Sequence, residues 1–149
     1  MNTLQLDKKV SVPGFLGAFA YDELPEKPDG ATMMFSLIIN VDPSNLPGSH
    51  WIALVYKNSC FFFIDSYGRL FKDNTFPSGF SAKIKNYIGN SCYKTNTKMY
   101  QQFTSNTCGQ YCVYFIEEMV KKSFEKVCNV FTDNLRKNDL YVTKYVEKL

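Results

Sequence analysis

Between residues 31 and 65 the chain carries three apolar segments rich in β-forming residues: Ala31 to Val41 (ATMMFSLIINV), His50 to Tyr56 (HWIALVY) and Cys60 to Asp65 (CFFFID). Only Lys57-Asn58-Ser59 separates the last two, so they read as a hairpin. Downstream the period changes. Phe80, Ile84 and Ile88 recur at helical spacing and predict a helix over roughly Ser81 to Ile88, with a short strand near Lys98 to Gln102. From Gly109 onward three apolar stripes follow at helical spacing: Cys112, Phe115, Ile116 and Met119; then Phe124, Val127, Cys128, Phe131 and Leu135; then Val142, Val146 and Leu149. The Pro and Gly clusters at Pro13 to Gly17, Pro25 to Gly30, Pro43 to Gly48 and Pro77 to Gly79 read as loops. The expected fold is α+β, a mixed, mostly antiparallel sheet packed against helices. Residues 1–149 suit a single domain, with 45% apolar residues to fill its core.

The charge balance narrows the chemistry. Seventeen Lys and Arg against fourteen Asp and Glu give +3, far from the dense basic footprint of a dedicated nucleic-acid binder, although an auxiliary DNA contact stays open. No apolar run approaches the roughly 18 residues of a membrane span, and Asp7, Lys8 and Lys9 interrupt the start where a secretory signal would need apolar residues. A soluble, intracellular protein without membrane partners is expected. Five cysteines are an odd number, and reduced thiols are the expectation. With one histidine, His50, and no CxxC pair, no structural metal site is expected.

Cys108 follows Ser105-Asn106-Thr107, three good capping residues, and so belongs in the first turn of a helix. Free N–H groups and the helix dipole stabilise a thiolate there, Gly109 leaves space beside the sulfur, and the same N–H groups can hold a developing oxyanion. His50 and Asp65 are linked by hairpin geometry. If Asn58-Ser59 is a two-residue turn, Lys57 pairs with Cys60 and Ile52 with Asp65, which places His50 and Asp65 diagonally on one face, roughly 7 to 8 Å apart. A turn longer by one residue would reverse the parity. A carboxylate so placed binds one ring nitrogen and leaves the other as base. Taken together, the lone His, the same-face acid and the Cys at a helix start form a Cys-His-Asp nucleophilic set. Gln102, six residues before Cys108, and its neighbour Gln101 supply side-chain amides of the type that completes an oxyanion hole.

Four stretches resemble the adenain-like cysteine proteases, the adenovirus maturation protease and its relatives, which share a catalytic core with SUMO-specific proteases. They are Phe15-Leu16-Gly17-Ala18-Phe19 with Pro25, then Gly48-Ser49-His50-Trp51, then Asp65-Ser66-Tyr67-Gly68, and last Gln101-Gln102 through Cys108-Gly109-Gln110-Tyr111-Cys112. The resemblance implies Cys108 as nucleophile, His50 as general base and then acid, Asp65 as the residue orienting His50, and Gln102 as oxyanion donor. Asp65 and the Gln102 spacing follow the SUMO-protease branch, whereas Gln101 would match adenovirus spacing. The implied activity is cleavage of viral capsid or core precursor proteins by a monomer at a viral assembly site or in the virion. The chemistry requires no cofactor; the family adds an activating peptide, with Cys92 near the position that can bond to it, and DNA. The alternatives are an isopeptidase for ubiquitin-like modifiers and a catalytically silent binding module.

Overall fold

The computed structural model describes residues 1–149. Strands β2 (Met34–Asn40), β3 (Trp51–Lys57) and β4 (Cys60–Ile64) are the three β-rich segments, and they are flanked by β1 (Phe15–Ala20) and β5 (Cys92–Thr95) in the order β1-β2-β3-β4-β5. The central pairs β2–β3 and β3–β4 are antiparallel, and the outer pairs β1–β2 and β4–β5 are parallel.

Asn58 and Ser59 both adopt positive φ (53° and 62°), the conformation that a two-residue hairpin turn requires. Lys57 pairs with Cys60 and Ala53 with Ile64, so the expected register is the observed one.

Both faces of the sheet are covered, which is why β2 to β4 read as nearly continuous apolar runs. On one face Ile38, Ala53, Val55, Phe62 and Ile64 pack against α1 (Thr3–Lys9), α3 (Cys108–Met119), α4 (Phe124–Cys128) and α5 (Leu135–Glu147). On the other, Leu37, Ile39, Ile52, Leu54, Phe61 and Phe63 meet α2 (Ser78–Ile88), whose Phe80, Ile84 and Ile88 form the predicted stripe.

Several expectations are corrected. Phe15 to Gly17, read as loop, begin edge strand β1; its irregular register is held by α1, where Asp7 Oδ1 accepts the Ala18 N–H at 2.9 Å. The strand expected near Lys98 to Gln102 lies earlier, at Cys92–Thr95; Tyr100 and Gln101 instead send their N–H groups to the Ser66 carbonyl. The second helical stripe breaks after Cys128. Phe131 leaves the helix to stack on Tyr100, with ring centroids 4.4 Å apart, and Leu135 opens α5.

Reduced thiols are not what the structure holds throughout, because Cys60 and Cys92 are directly paired across β4 and β5 and are joined as a disulfide. The sulfur of Cys92 is therefore committed within the chain, which removes it as the attachment point for an activating peptide. Cys108, Cys112 and Cys128 are free.

Candidate active site

Strands β3 and β4 leave the hairpin together, and their far ends carry His50, just before β3, and Asp65, just after β4. Gly48 opens the turn into His50 at φ +92°, where an added Cβ would lie 2.7 Å from Asn40 Nδ2. The imidazole Nε2 and Asp65 Oδ1 are 2.6 Å apart, as the hairpin parity required. With Nε2 committed to the carboxylate, Nδ1 is the ring nitrogen left for the Cys108 sulfur, which is close enough to His50 for each group to shift the titration of the other. All three side chains are buried.

Cys108 is the first residue of α3. The expected cap is not formed: Thr107 is the N-cap residue, but its hydroxyl bonds to Asp139 rather than to the helix. The first-turn N–H groups are thereby left without a side-chain cap. Tyr111, one turn in, donates its N–H to the Thr107 carbonyl at 3.2 Å. Gly109 also differs from expectation. A Cβ there would meet Met1 Cβ at 3.2 Å and Leu6 Cδ2 at 3.3 Å, so the missing side chain admits the N-terminal segment against α3.

Burial opposes charge on each member of the set, and the partners outweigh it. Desolvation works against an imidazolium at His50, yet its bonds to Asp65 and Cys108 raise its proton affinity well above the ordinary value. Burial likewise works against a thiolate at Cys108, but the His50 bond and charge, helped by the Trp51 backbone N–H, hold its pKa below the usual thiol value. Asp65 is lowered against its burial by His50 and then by Arg69. Cys112, fully buried four residues on, is raised by desolvation and is no rival thiolate.

The two glutamines lie in different settings. Gln101 is buried, its Oε1 accepting from the Ser66 hydroxyl and its Nε2 donating to the Ser105 carbonyl at 3.0 Å. Gln102 is half-buried; its backbone N–H donates to Asp139 Oδ2 at 3.3 Å, and its side-chain amide has no hydrogen-bond partner.

Other groups that hold the set were not read from the sequence. Arg69 Nε donates to Asp65 Oδ2 at 2.7 Å. Asn96 takes the Asp65 N–H on its Oδ1 at 3.1 Å and returns a bond from Nδ2 to the Asp65 carbonyl at 2.6 Å. Tyr67 stacks on the His50 ring at a centroid distance of 5.0 Å. The i,i+4 position of Arg69 relative to Asp65 was visible in the sequence; Asn96, thirty-one residues away from Asp65, carried no signal. Two cavities reach the catalytic set. One of about 610 Å³ reaches Cys108 past Trp51, Ala18 and Phe19, and one of about 660 Å³ reaches His50 past Tyr67, Met99 and Phe103.

No family model and no curated protein sequence matches this chain. Among solved structures it is similar to ChlaDub1 from Chlamydia trachomatis, with a TM-score of 0.53 and 12% identity over 80% of this chain and 60% of that one. It is also similar to the central domain of Lpg1148 from Legionella pneumophila, with a TM-score of 0.57 and 7% identity over 99% and 97% of the two chains. A third match is the ASFV pS273R protease, with a TM-score of 0.46 and 16% identity over 73% of this chain and 43% of that one. The chain thus spans about 60% of the length of ChlaDub1. At these identities the likeness to ChlaDub1 and to the Lpg1148 domain is one of fold, and it agrees with the mixed sheet and flanking helices described above.

Proposed function

We propose that this protein is a cysteine peptidase in which Cys108 is the nucleophile. The observation that carries the reading is the buried line from Asp65 through His50 to a thiol at a helix N-terminus, with Nε2 and Oδ1 at 2.6 Å. The Cys108 thiolate attacks the carbonyl carbon of a peptide bond, and the electron pair moves to the oxygen. That oxyanion forms beside the Cys108 backbone N–H and the free amide of Gln102, donors that act most strongly on the charge of the transition state. As the C–N bond breaks, the imidazolium of His50 gives its proton to the departing amine, leaving a thioester on Cys108. Water then attacks the thioester as His50 takes its proton; the acid product leaves and the thiol is restored. Asp65 holds the ring and its charge throughout without itself being protonated.

For the substrate, the adenain-like resemblance supports precursor proteins of a virus or virus-like element. The Phe15-to-Phe19 stretch that carries part of it lies in β1, and Ala18 and Phe19 line the cavity at Cys108. Incubation with candidate capsid precursors, with new termini mapped by mass spectrometry, is expected to give cleavage that is lost in Cys108→Ala and His50→Ala. Turnover only of modifier-derived fluorogenic substrates would redirect the reading to an isopeptidase. Normal turnover in His50→Ala would end it.

A further inference from the structure

A buried carboxylate outside the catalytic set is bound to the segment that delivers the nucleophile. Asp139, on α5, is 8% exposed and forms no ion pair. Its Oδ1 accepts from the Tyr111 hydroxyl at 2.7 Å and the Thr107 hydroxyl at 3.0 Å, while Oδ2 accepts the Gln102 N–H at 3.3 Å. Both ends of the stretch from Gln102 to Thr107, which leads directly into Cys108, are therefore fastened to one side chain. Within the stretch the Ser105 N–H closes back on the Gln102 carbonyl at 3.1 Å, so it forms a compact turn. The third bond ties the same carboxylate to α3 one turn beyond Cys108. Hydrogen bonds to an ionised acceptor are stronger than neutral ones, and they offset the cost of burying this charge.

The arrangement has a second effect at the helix start. Because the Thr107 hydroxyl is spent on Asp139, it does not cap the first-turn N–H groups, which stay open to a ligand oxygen.

We propose that Asp139 is a positioning residue that clamps the stretch from Gln102 to Thr107 and so holds the oxyanion donors, the Gln102 amide and the Cys108 N–H, in place. This rests on the reading of the chain as a cysteine peptidase. Oxyanion donors work because they are already aimed before charge develops, and displacements near 1 Å cost roughly 100-fold in rate. The clamp acts on carbonyl addition only. It does not touch His50 or Asp65, and His50 is the partner that chiefly lowers the Cys108 thiol.

The test uses the full chain and two small electrophiles at Cys108. p-Nitrophenyl acetate acylates the sulfur through a tetrahedral oxyanion, with p-nitrophenolate leaving, whereas iodoacetamide alkylates it by direct displacement of iodide with no oxyanion. Asp139→Asn keeps an oxygen for the two hydroxyls but replaces the acceptor of the Gln102 N–H with an NH2 group. Acylation is expected to fall about 10-fold or more, while the alkylation rate and its pH midpoint stay as in the parent. Equal acylation in Asp139→Asn and parent, or parallel losses in both reactions, overturns the clamp. If Asp139→Asn does not fold, Thr107→Val removes one tie and leaves the carboxylate bonded to Tyr111 and Gln102; the same split is expected at several-fold, and its absence overturns the proposal. A parent that is not acylated at Cys108 overturns the peptidase reading and the clamp with it, whereas an acylated parent with an equally acylated variant sinks the clamp alone.

Discussion

Arg69 Nε meets Asp65 Oδ2 at 2.7 Å on one side of a carboxylate whose Oδ1 faces His50 Nε2 at 2.6 Å on the other. The guanidinium also lies over the Phe76 ring, 4.0 Å from its centroid, so it is held in place from below. Asp65 is completely buried and thus shares its charge between two cations, with the Tyr67 and Arg69 backbone N–H groups adding bonds at 3.2 Å. Arg69→Met keeps the stem on Phe76 and removes the cation. The His50 imidazolium then has the carboxylate to itself, so its proton is held more tightly and the alkaline limb of the rate profile moves to higher pH. Stability is expected to fall by about 1.5 to 3 kcal/mol, the range for a hydrogen bond to a charged group. Thermal melts and pH-rate profiles of the variant check both; an unmoved alkaline limb would show that Arg69 serves the turn alone.

Adjacent glutamines predict opposite phenotypes. Gln102→Ala removes an amide with no protein partner and is expected to lower kcat about 100-fold to 1000-fold with KM little changed. Gln101→Ala leaves the buried Ser66 hydroxyl and the Ser105 carbonyl without their partner, so it is expected to cost about 1 to 3 kcal/mol of stability. Its effect on kcat should be the smaller of the two. Steady-state kinetics paired with denaturant titrations separate these outcomes. A large kcat loss confined to Gln101→Ala would transfer the oxyanion role to that residue.

How far the site could be read beforehand follows the range of the interactions. His50 and Asp65 were placed on one face by local rules alone, because a two-residue turn fixes the parity of a hairpin. Cys108 was placed at a helix start by the capping residues Ser105-Asn106-Thr107 before it and the apolar period after it. The Thr107 cap failed for the opposite reason. Its hydroxyl had a distant competitor in Asp139, thirty-two residues away, and capping preference says nothing of such a partner. Strands β1 and β5 were missed because both lie at the sheet edges and pair in parallel, so neither adjoins its partner through a short turn. In β5, Cys92, Tyr93 and Lys94 are all exposed, which erases the alternation that marks a half-buried strand. The bond between Cys60 and Cys92 was hidden with it, since only the β4–β5 register brings those residues together.

The coupled charges of the site should govern both reactivity and stability. Cys108 is expected to react with iodoacetamide at a pH below that of an ordinary thiol, and His50→Ala should push that onset upward because burial then acts without its counterweight. For stability, the His50 pKa is raised from 6.5 to about 9 on folding. Its contribution is full below 6.5 and is lost as pH rises through about 9. Asp65 works in the other sense, contributing above its ordinary 3.8 and losing that contribution as pH falls through its lowered value. Denaturant midpoints measured across pH should therefore decline at both ends. His50→Ala should flatten the alkaline decline; a decline of unchanged size would assign it to other groups.

The disulfide should support the fold without serving the chemistry. Cys60 starts β4 at the hairpin end, and Asp65 follows the other end, about 17 Å away at the rise of an extended strand. The bond closes a loop with a sequence separation of 32, for which chain entropy gives about 3 to 4 kcal/mol of stabilisation. It also fastens β5, a four-residue edge strand, whose continuation carries Asn96 to the backbone of Asp65. Cys92→Ser, or reduction of the parent, is expected to lower the melting temperature clearly. At temperatures where the variant stays folded, the reaction of Cys108 with iodoacetamide should match the parent, because His50 and Asp65 remain paired. Peptide mapping under non-reducing conditions should recover Cys60 and Cys92 in one linked fragment and Cys108 as a free thiol. Recovery of Cys92 as a free thiol, with no change in melting temperature on reduction, would remove the bond from the native state and return that sulfur to the list of groups able to bond a partner.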